Sequence, residues 1–167
     1  MLNFNIEIHP IKWLYYNLEA DGEKAVAIIA SSYNVRENKL SQLNSRLILS
    51  FDDIPQSNQL TSFNKTLAKD IHSFVDNLPA DMDILYVCCD SGESRSSAMA
   101  AAIMRYFGED DMQIWKNPHY HPNPLVYNLL CEEFGIVLAD SETEGKVAIN
   151  KKAFSDAIAA SRKDDTP

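Results

Sequence analysis

The stretch that most restricts what this chain can fold into runs from Ile84 to Gly108. Ile84-Leu85-Tyr86-Val87 is apolar and β-prone, and reads as a buried strand. Ser97-Ala98-Met99-Ala100-Ala101-Ala102-Ile103-Met104-Arg105-Tyr106-Phe107 is Ala-rich and free of Pro, and Gly108 closes it, so it reads as a buried helix. Between them lies the polar run Cys88-Cys89-Asp90-Ser91-Gly92-Glu93-Ser94-Arg95-Ser96. That run leaves the carboxyl end of a strand and enters the amino end of a helix. Backbone N–H groups point into such a loop and the helix dipole favours negative charge there, which makes it an anion site. Gly92 permits a backbone conformation that a side chain forbids.

Five residues separate Cys89 from Arg95. A loop of that length can curl so that its N–H groups surround the oxygens of one phosphoryl group. Arg95 then grips two of those oxygens with its planar fork, which Lys cannot do. The same groups favour the thiolate of Cys89, a nucleophile. Ser96 can donate a hydrogen bond to the sulfur and ease its departure. The bare Cys/Arg spacing also occurs by chance in strand–loop–helix turns. Gly92, Ser96 and the two flanking elements separate this loop from that background.

Cys89-Asp90-Ser91-Gly92-Glu93-Ser94-Arg95-Ser96 resembles the signature loop of the cysteine-dependent protein tyrosine phosphatases. It is most similar to the dual-specificity branch and its bacterial phosphatase-like proteins, whose loop often ends Gly-x-Ser-Arg-Ser. The resemblance is strongest over Leu47–Phe107 and continues more weakly through Phe134. It implies an α/β fold, a phosphocysteine intermediate on Cys89, and a general-acid Asp on a separate upstream loop. Two positions depart from the pattern. Cys88 stands where the family usually has His, and Asp90 and Glu93 make the loop interior more acidic than most.

The chain order supports the same class. Phe4-Asn5-Ile6-Glu7-Ile8 alternates like a short strand, and Pro10 opens a short helix through Leu18 that Asp21-Gly22 ends. Lys24–Ala30 and Arg46–Phe51 read as buried strands, with a polar, turn-prone loop from Ser31 to Ser45. Leu60 to Leu78 places Phe63, Leu67, Ile71, Phe74 and Leu78 at helical spacing, and Pro79 stops that helix. Glu109–Trp115 reads as a short helix or turn. Asn123 caps a helix that Pro124 starts and Gly135 follows. The segment from Ile136 is polar, and Asn150 is expected to cap a last helix through Ser161, anchored weakly by Phe154 and Ile158. Strands interleaved with helices predict an α/β fold. It has a mostly parallel central sheet with helices on both faces, built on a phosphatase-type strand–phosphate loop–helix core. One domain over residues 1–162 and a disordered tail over 163–167 are expected.

Ligands in such sheets bind at the carboxyl ends of strands. That rule brings Asp52 and Asp53, after the strand ending at Phe51, towards the Cys89 loop. The resemblance makes Asp53 the first choice for the general acid, since the family's acid often follows a strand as in Phe51-Asp52-Asp53, and Asp52 the alternative; either Asp can instead be a solvated turn residue near Pro55. The expected catalytic set is Cys89, Arg95, Asp53 and Ser96. The expected substrate-binding set is Asp90, Ser91, Gly92, Glu93, Ser94 and Asn123. Asn123 reads first as a helix cap and, by the resemblance, as a residue that orients the attacking water or shapes the pocket rim. Trp115, Tyr120 and His121 are either groove lining or partial core. Cys88 reads as a small buried residue, or as a redox partner of Cys89. Cys131 reads as core. His9 and His72 have no ligating company in the sequence, so no metal and no cofactor are expected.

A formal net charge of -9 argues against nucleic acid or an anionic membrane as partner. The expected partner is a phosphorylated protein or a small phosphate ester. Three cysteines form no disulfide framework. With no basic region followed by an apolar run at the N-terminus, a cytoplasmic setting is expected. Protein phosphotyrosine is the likeliest substrate in this reading. Its competitors are a catalytically weak phosphate-binding module of the same fold, a rhodanese-type sulfur transferase and a nucleotide or RNA 5′-phosphatase. A bidentate Arg95 beside Ser96 fits phosphoryl chemistry better than persulfide chemistry.

Overall fold

The computed structural model describes residues 2–18, 24–57 and 60–164, with side chains to residue 162. Four strands form one sheet: β1 (Asn5–Pro10), β2 (Ala25–Ser31), β3 (Ser45–Ser50) and β4 (Ile84–Cys89). Their order is β1-β4-β2-β3 and every pairing is parallel. All carboxyl ends therefore share one rim. The two inner strands, β2 and β4, are buried along their whole length. This is why they read as continuous apolar runs rather than alternating ones.

Alternation along β4 divides the core. Leu85, Val87 and Cys89 face the larger core, while Ile84, Tyr86 and Cys88 face the smaller one. Helices α2 (Lys65–Asp76), α3 (Arg95–Tyr106) and α5 (Pro124–Glu133) supply the larger core. Helix α1 (Ile11–Asn17) covers the other face through Ile11 and Leu14. Leu40 and Leu43, from the polar connection after β2, are buried beside it. The sheet is thus covered on both faces, as the sequence predicts.

Two boundaries differ from expectation. Helix α2 starts at Lys65 rather than near Leu60, because the Asn64 side chain accepts from the N–H groups of Thr66 and Leu67 at 3.0 and 3.1 Å. Phe63 lies before that cap and packs on Phe51 at 4.9 Å. The last helix, α6, runs from Glu142 to Asp164, so Asn150 does not cap it. Asn150 lies inside α6 and is buried. Its amide donates to the carbonyls of Trp115, Asn117 and Tyr120 at 3.1, 3.3 and 2.8 Å. Helix α4 (Met112–Trp115) occupies the expected short turn. The Asp21-Gly22 helix stop lies outside the described residues, as do residues 165–167 of the expected tail. No helix among the described residues is long and apolar enough to cross a membrane.

Candidate active site

Cys89 ends β4 and Arg95 begins α3, so Asp90–Ser94 is the whole connection. Ser97 folds the connection back, its hydroxyl donating to the carbonyls of Glu93 and Ser94, the latter at 3.0 Å. From outside, the His121 N–H donates to Glu93 O at 3.0 Å and the Asn123 N–H to Ser94 O at 3.3 Å. In a trans peptide the N–H points opposite its carbonyl, so the Ser94 and Arg95 N–H groups, which share peptide units with these two carbonyls, turn towards the loop interior. None of the N–H groups of Ser91, Gly92, Glu93 and Ser94 donates to another group among the described residues. Gly92 has φ of +76°, and a Cβ there would lie 2.5 Å from Pro10 N. Both the conformation and the clearance require glycine.

The reactive groups sit at the base of this loop. Cys89 is 1% exposed and its Sγ lies 3.1 Å from Ser96 Oγ. Arg95 is also buried. Its Nη1 donates to Phe51 O at 2.7 Å and to Ser32 Oγ at 3.1 Å. Its Nη2 donates to Asp90 Oδ2 at 2.6 Å. Arg95 Nε is buried and has no hydrogen-bond partner among the described residues. A buried donor left unpaired costs about 1–3 kcal/mol, so it marks a place where a ligand acceptor belongs. Asp90 is held from three sides, by Arg95, by Ser31 Oγ at 2.5 Å and by the Ser32 N–H at 3.2 Å. Burial disfavours its charge, but these hydrogen bonds outweigh burial and hold its carboxyl below the usual range.

Asp53 reaches the loop from the end of β3, across the intervening β2. Its Oδ1 accepts from Ser94 Oγ at 2.9 Å and from Asn123 Nδ2 at 2.7 Å. Asn123 serves two functions at once. Its Oδ1 caps α5, accepting from the Leu125 and Val126 N–H groups at 3.0 and 3.2 Å. Its amide nitrogen also donates to Ile54 O at 3.2 Å. Asp52 is engaged elsewhere: hydrogen bonds from Thr61 and then Ser32 keep its carboxyl below the usual range.

The remaining candidates separate cleanly. Glu93 is exposed in the loop. Trp115 is fully buried, with its indole N–H on Asp111 at 3.0 Å, so the groove alternative does not hold for it. Tyr120 is half-buried at the edge of the larger core, and burial pushes its hydroxyl up. His121 is exposed, and its ring meets Phe154 at 5.0 Å. Cys88 and Cys89 face opposite sides of the sheet, which leaves Cys88 in the core rather than beside its neighbour's sulfur. Burial also pushes the Cys88 thiol well up. Cys131 is core, its thiol pushed up to about 11 by burial.

Ser31, Ser32 and the Phe51 carbonyl were not singled out in the sequence, yet they hold Asp90 and Arg95. The available signal was their place at strand carboxyl ends on the binding rim. A cavity of about 440 Å³ opens beside the loop, with Asp90 and Ser31 at one side, Tyr15 and Tyr33 in its wall, and Lys12 and Arg36 among its lining.

The parallel sheet and its Cys89–Arg95 strand–loop–helix match the fold of the protein tyrosine phosphatases, as one solved structure shows. Among solved structures, the chain is similar to the human tyrosine phosphatase-like serine/threonine/tyrosine-interacting protein. The identity is 22% and the TM-score 0.56, with 80% of this chain and 93% of that one covered. Weaker matches are PTPMT1 in complex with PI(5)P, at 17% identity, TM-score 0.44 and coverage of 92% and 94%, and human DUSP28, at 12%, 0.42, and 93% and 94%. No family model matches the sequence, and no curated protein matches it.

Proposed function

We propose that the protein is a phosphate monoester hydrolase of the cysteine-dependent phosphatase superfamily, acting on phosphotyrosine or with dual specificity. The observation that carries this reading is the pairing of Cys89 Sγ, 3.1 Å from Ser96 Oγ, with a buried Arg95 Nε that has no protein partner, across a loop of free N–H groups. In this reading the Cys89 thiolate attacks phosphorus in line with the ester oxygen. The P–O bond breaks as the P–S bond forms, and Asp53 gives its proton to the leaving oxygen. The free N–H groups of Ser91–Ser94 and the Arg95 fork hold the phosphoryl oxygens. Asp53 then takes a proton from water, which attacks phosphorus. The P–S electrons return to sulfur, and Ser96 donates a hydrogen bond to the departing thiolate. Asn123 positions the Asp53 carboxyl through the 2.7 Å contact. A cytoplasmic, reducing setting suits a working thiol.

A second reading has specific support: the Asp90 carboxylate already neutralises Arg95 at 2.6 Å, which favours a phosphate-binding module with weak turnover. The net charge of -9 weighs against a nucleotide or RNA 5′-phosphatase. Hydrolysis of an aryl phosphate by wild type and Cys89→Ser decides between the first two readings. Sustained phosphate release by wild type alone supports the enzyme; binding of phosphate without release by either supports the module.

A further inference from the structure

We infer that Asp90 is a positioning and selectivity residue. It commits the Arg95 guanidinium to one orientation while cancelling much of its charge, so that the loop recognises a single phosphoryl group by hydrogen-bond geometry rather than by net positive charge. This inference rests on the phosphatase reading of the same loop. The guanidinium has five N–H bonds. Nη1 serves Phe51 O and Ser32 Oγ, and Nη2 serves Asp90 Oδ2. That leaves the Nε–H and the second Nη2 hydrogen, which together make one bidentate fork. Asp90 cannot swing away to free a different fork, because Ser31 Oγ and the Ser32 N–H hold its two oxygens.

The same contact sets the charge. Asp90 and Arg95 sum to zero, and Glu93 adds a further carboxylate to the loop. A bound phosphoryl dianion therefore meets hydrogen-bond donors but little net cationic field. Within the loop itself a second phosphate gains nothing, whereas a lone phosphoryl group fits it; Lys12 and Arg36 line the neighbouring cavity, outside the Arg95 fork.

The test separates geometry from charge. Asp90→Asn keeps an oxygen that accepts from Nη2 but removes the charge; Asp90→Ala removes both. Inorganic tungstate, a tetrahedral oxyanion, is the binding probe, read by calorimetry, and an aryl phosphate is the substrate. Asp90→Asn should bind tungstate about tenfold more tightly and keep the Arg95 Nε–H resonance at its wild-type position. It should also narrow the preference for a singly over a multiply phosphorylated peptide. Asp90→Ala should lower kcat by about 30-fold or more and shift or broaden the Arg95 Nε–H resonance in the ¹⁵N spectrum, with or without tungstate. A purely structural Asp90 would lower Tm in both variants and leave the tungstate affinity of Asp90→Asn unchanged. That result overturns the inference, as does an Asp90→Ala protein with wild-type kcat and an unmoved resonance. If wild type neither binds tungstate nor releases phosphate, the phosphatase reading falls as well. If wild type does both and the variants follow it, this inference alone falls.

Discussion

Helix α3 has an ion pair at either end, half-buried at its start and buried past its finish, and the two pairs are built differently. At its start, Arg95 meets Asp90 and keeps one buried donor without a partner. Past its end, Asp111 meets Lys146, and there the polar groups are paired. Asp111 accepts from Lys146 on both oxygens at 2.6 Å, from Tyr127 Oη at 2.8 Å and from the Trp115 indole at 3.0 Å. Lys146 also donates to Tyr127 Oη at 2.9 Å, and Arg105 joins Tyr127 to Glu142. The saturated cluster binds α3, α4, α5 and α6 into one body. The unsaturated one keeps hydrogen-bonding capacity for a ligand. Burial of charge alone does not mark a site; unfilled capacity does.

Substitutions at Cys89, Arg95 and Asp53 should therefore act mainly on turnover, and those at the closed end mainly on stability. The largest effect is expected for Cys89→Ser, which should lose at least about a thousandfold in kcat with an unchanged Tm, because a serine hydroxyl is not ionised at neutral pH. Activity within tenfold of wild type would remove Cys89 as nucleophile. Arg95→Lys should lose about a hundredfold or more, since an ammonium cannot fill the bidentate fork. Steady-state kinetics on one aryl phosphate measures both.

Asp53→Asn should slow phosphotyrosine hydrolysis by about 10²–10⁴-fold. An ester whose leaving phenol is strongly acidic should be slowed far less, because it needs no proton. Asp52→Asn should alter both substrates little, as its carboxylate is occupied by Thr61 and Ser32. The opposite pattern would move the acid by one residue. At the closed end, Lys146→Met leaves the Asp111 charge buried and unpaired, a loss of about 3–5 kcal/mol. It should appear as a fall of about 10 °C in Tm with kcat/KM unchanged in the remaining folded protein.

The smallest effect is a shared one. Asp90 at the open end and Glu142 at the closed end are both held below the usual carboxylate range. In Glu142, burial works against the charge, and the Ala139 N–H and Arg105 overcome it. A depressed carboxylate stabilises the fold above its unfolded value, about 4, and that stability is lost as pH falls through the folded value. Tm should thus hold from pH 7 to about 5 and decline below about 4. Asp90→Asn should flatten part of that decline and Glu142→Gln another part.

The open end was the more legible in sequence because its information is local. Cys89, Gly92, Arg95 and Ser96 lie within eight consecutive residues, and the strand and helix that hold them have clear periods. Asp53 was found through the rule that strand ends share a rim together with the family resemblance, and Asn123 as a helix cap before Pro124 and through that resemblance. Their contact through one carboxylate oxygen was not visible, because it joins residues 70 apart. The closed end was missed altogether. Lys146 and Asn150 sit in a stretch whose polarity reads as surface, and only their partners on α4 and α5 show that they are buried. Asn150 was read as a cap for the same reason. Local propensity assigns Asn to a helix end, and three long-range carbonyls overrule it.

The contact between Gly92 and Pro10 bears on the order in which the molecule is assembled. The Cys89–Arg95 loop closes against the last residue of β1, with a Cβ-sized group excluded by 2.5 Å of clearance. β1 is made first, but it has no strand to pair with until β4, some 74 residues later, has been synthesised. The loop follows β4 directly, and its Gly92 sits against that early strand at the sheet edge. Deleting residues 2–10 would keep Cys89, Arg95 and Asp53 and still remove the wall against which the loop is cast.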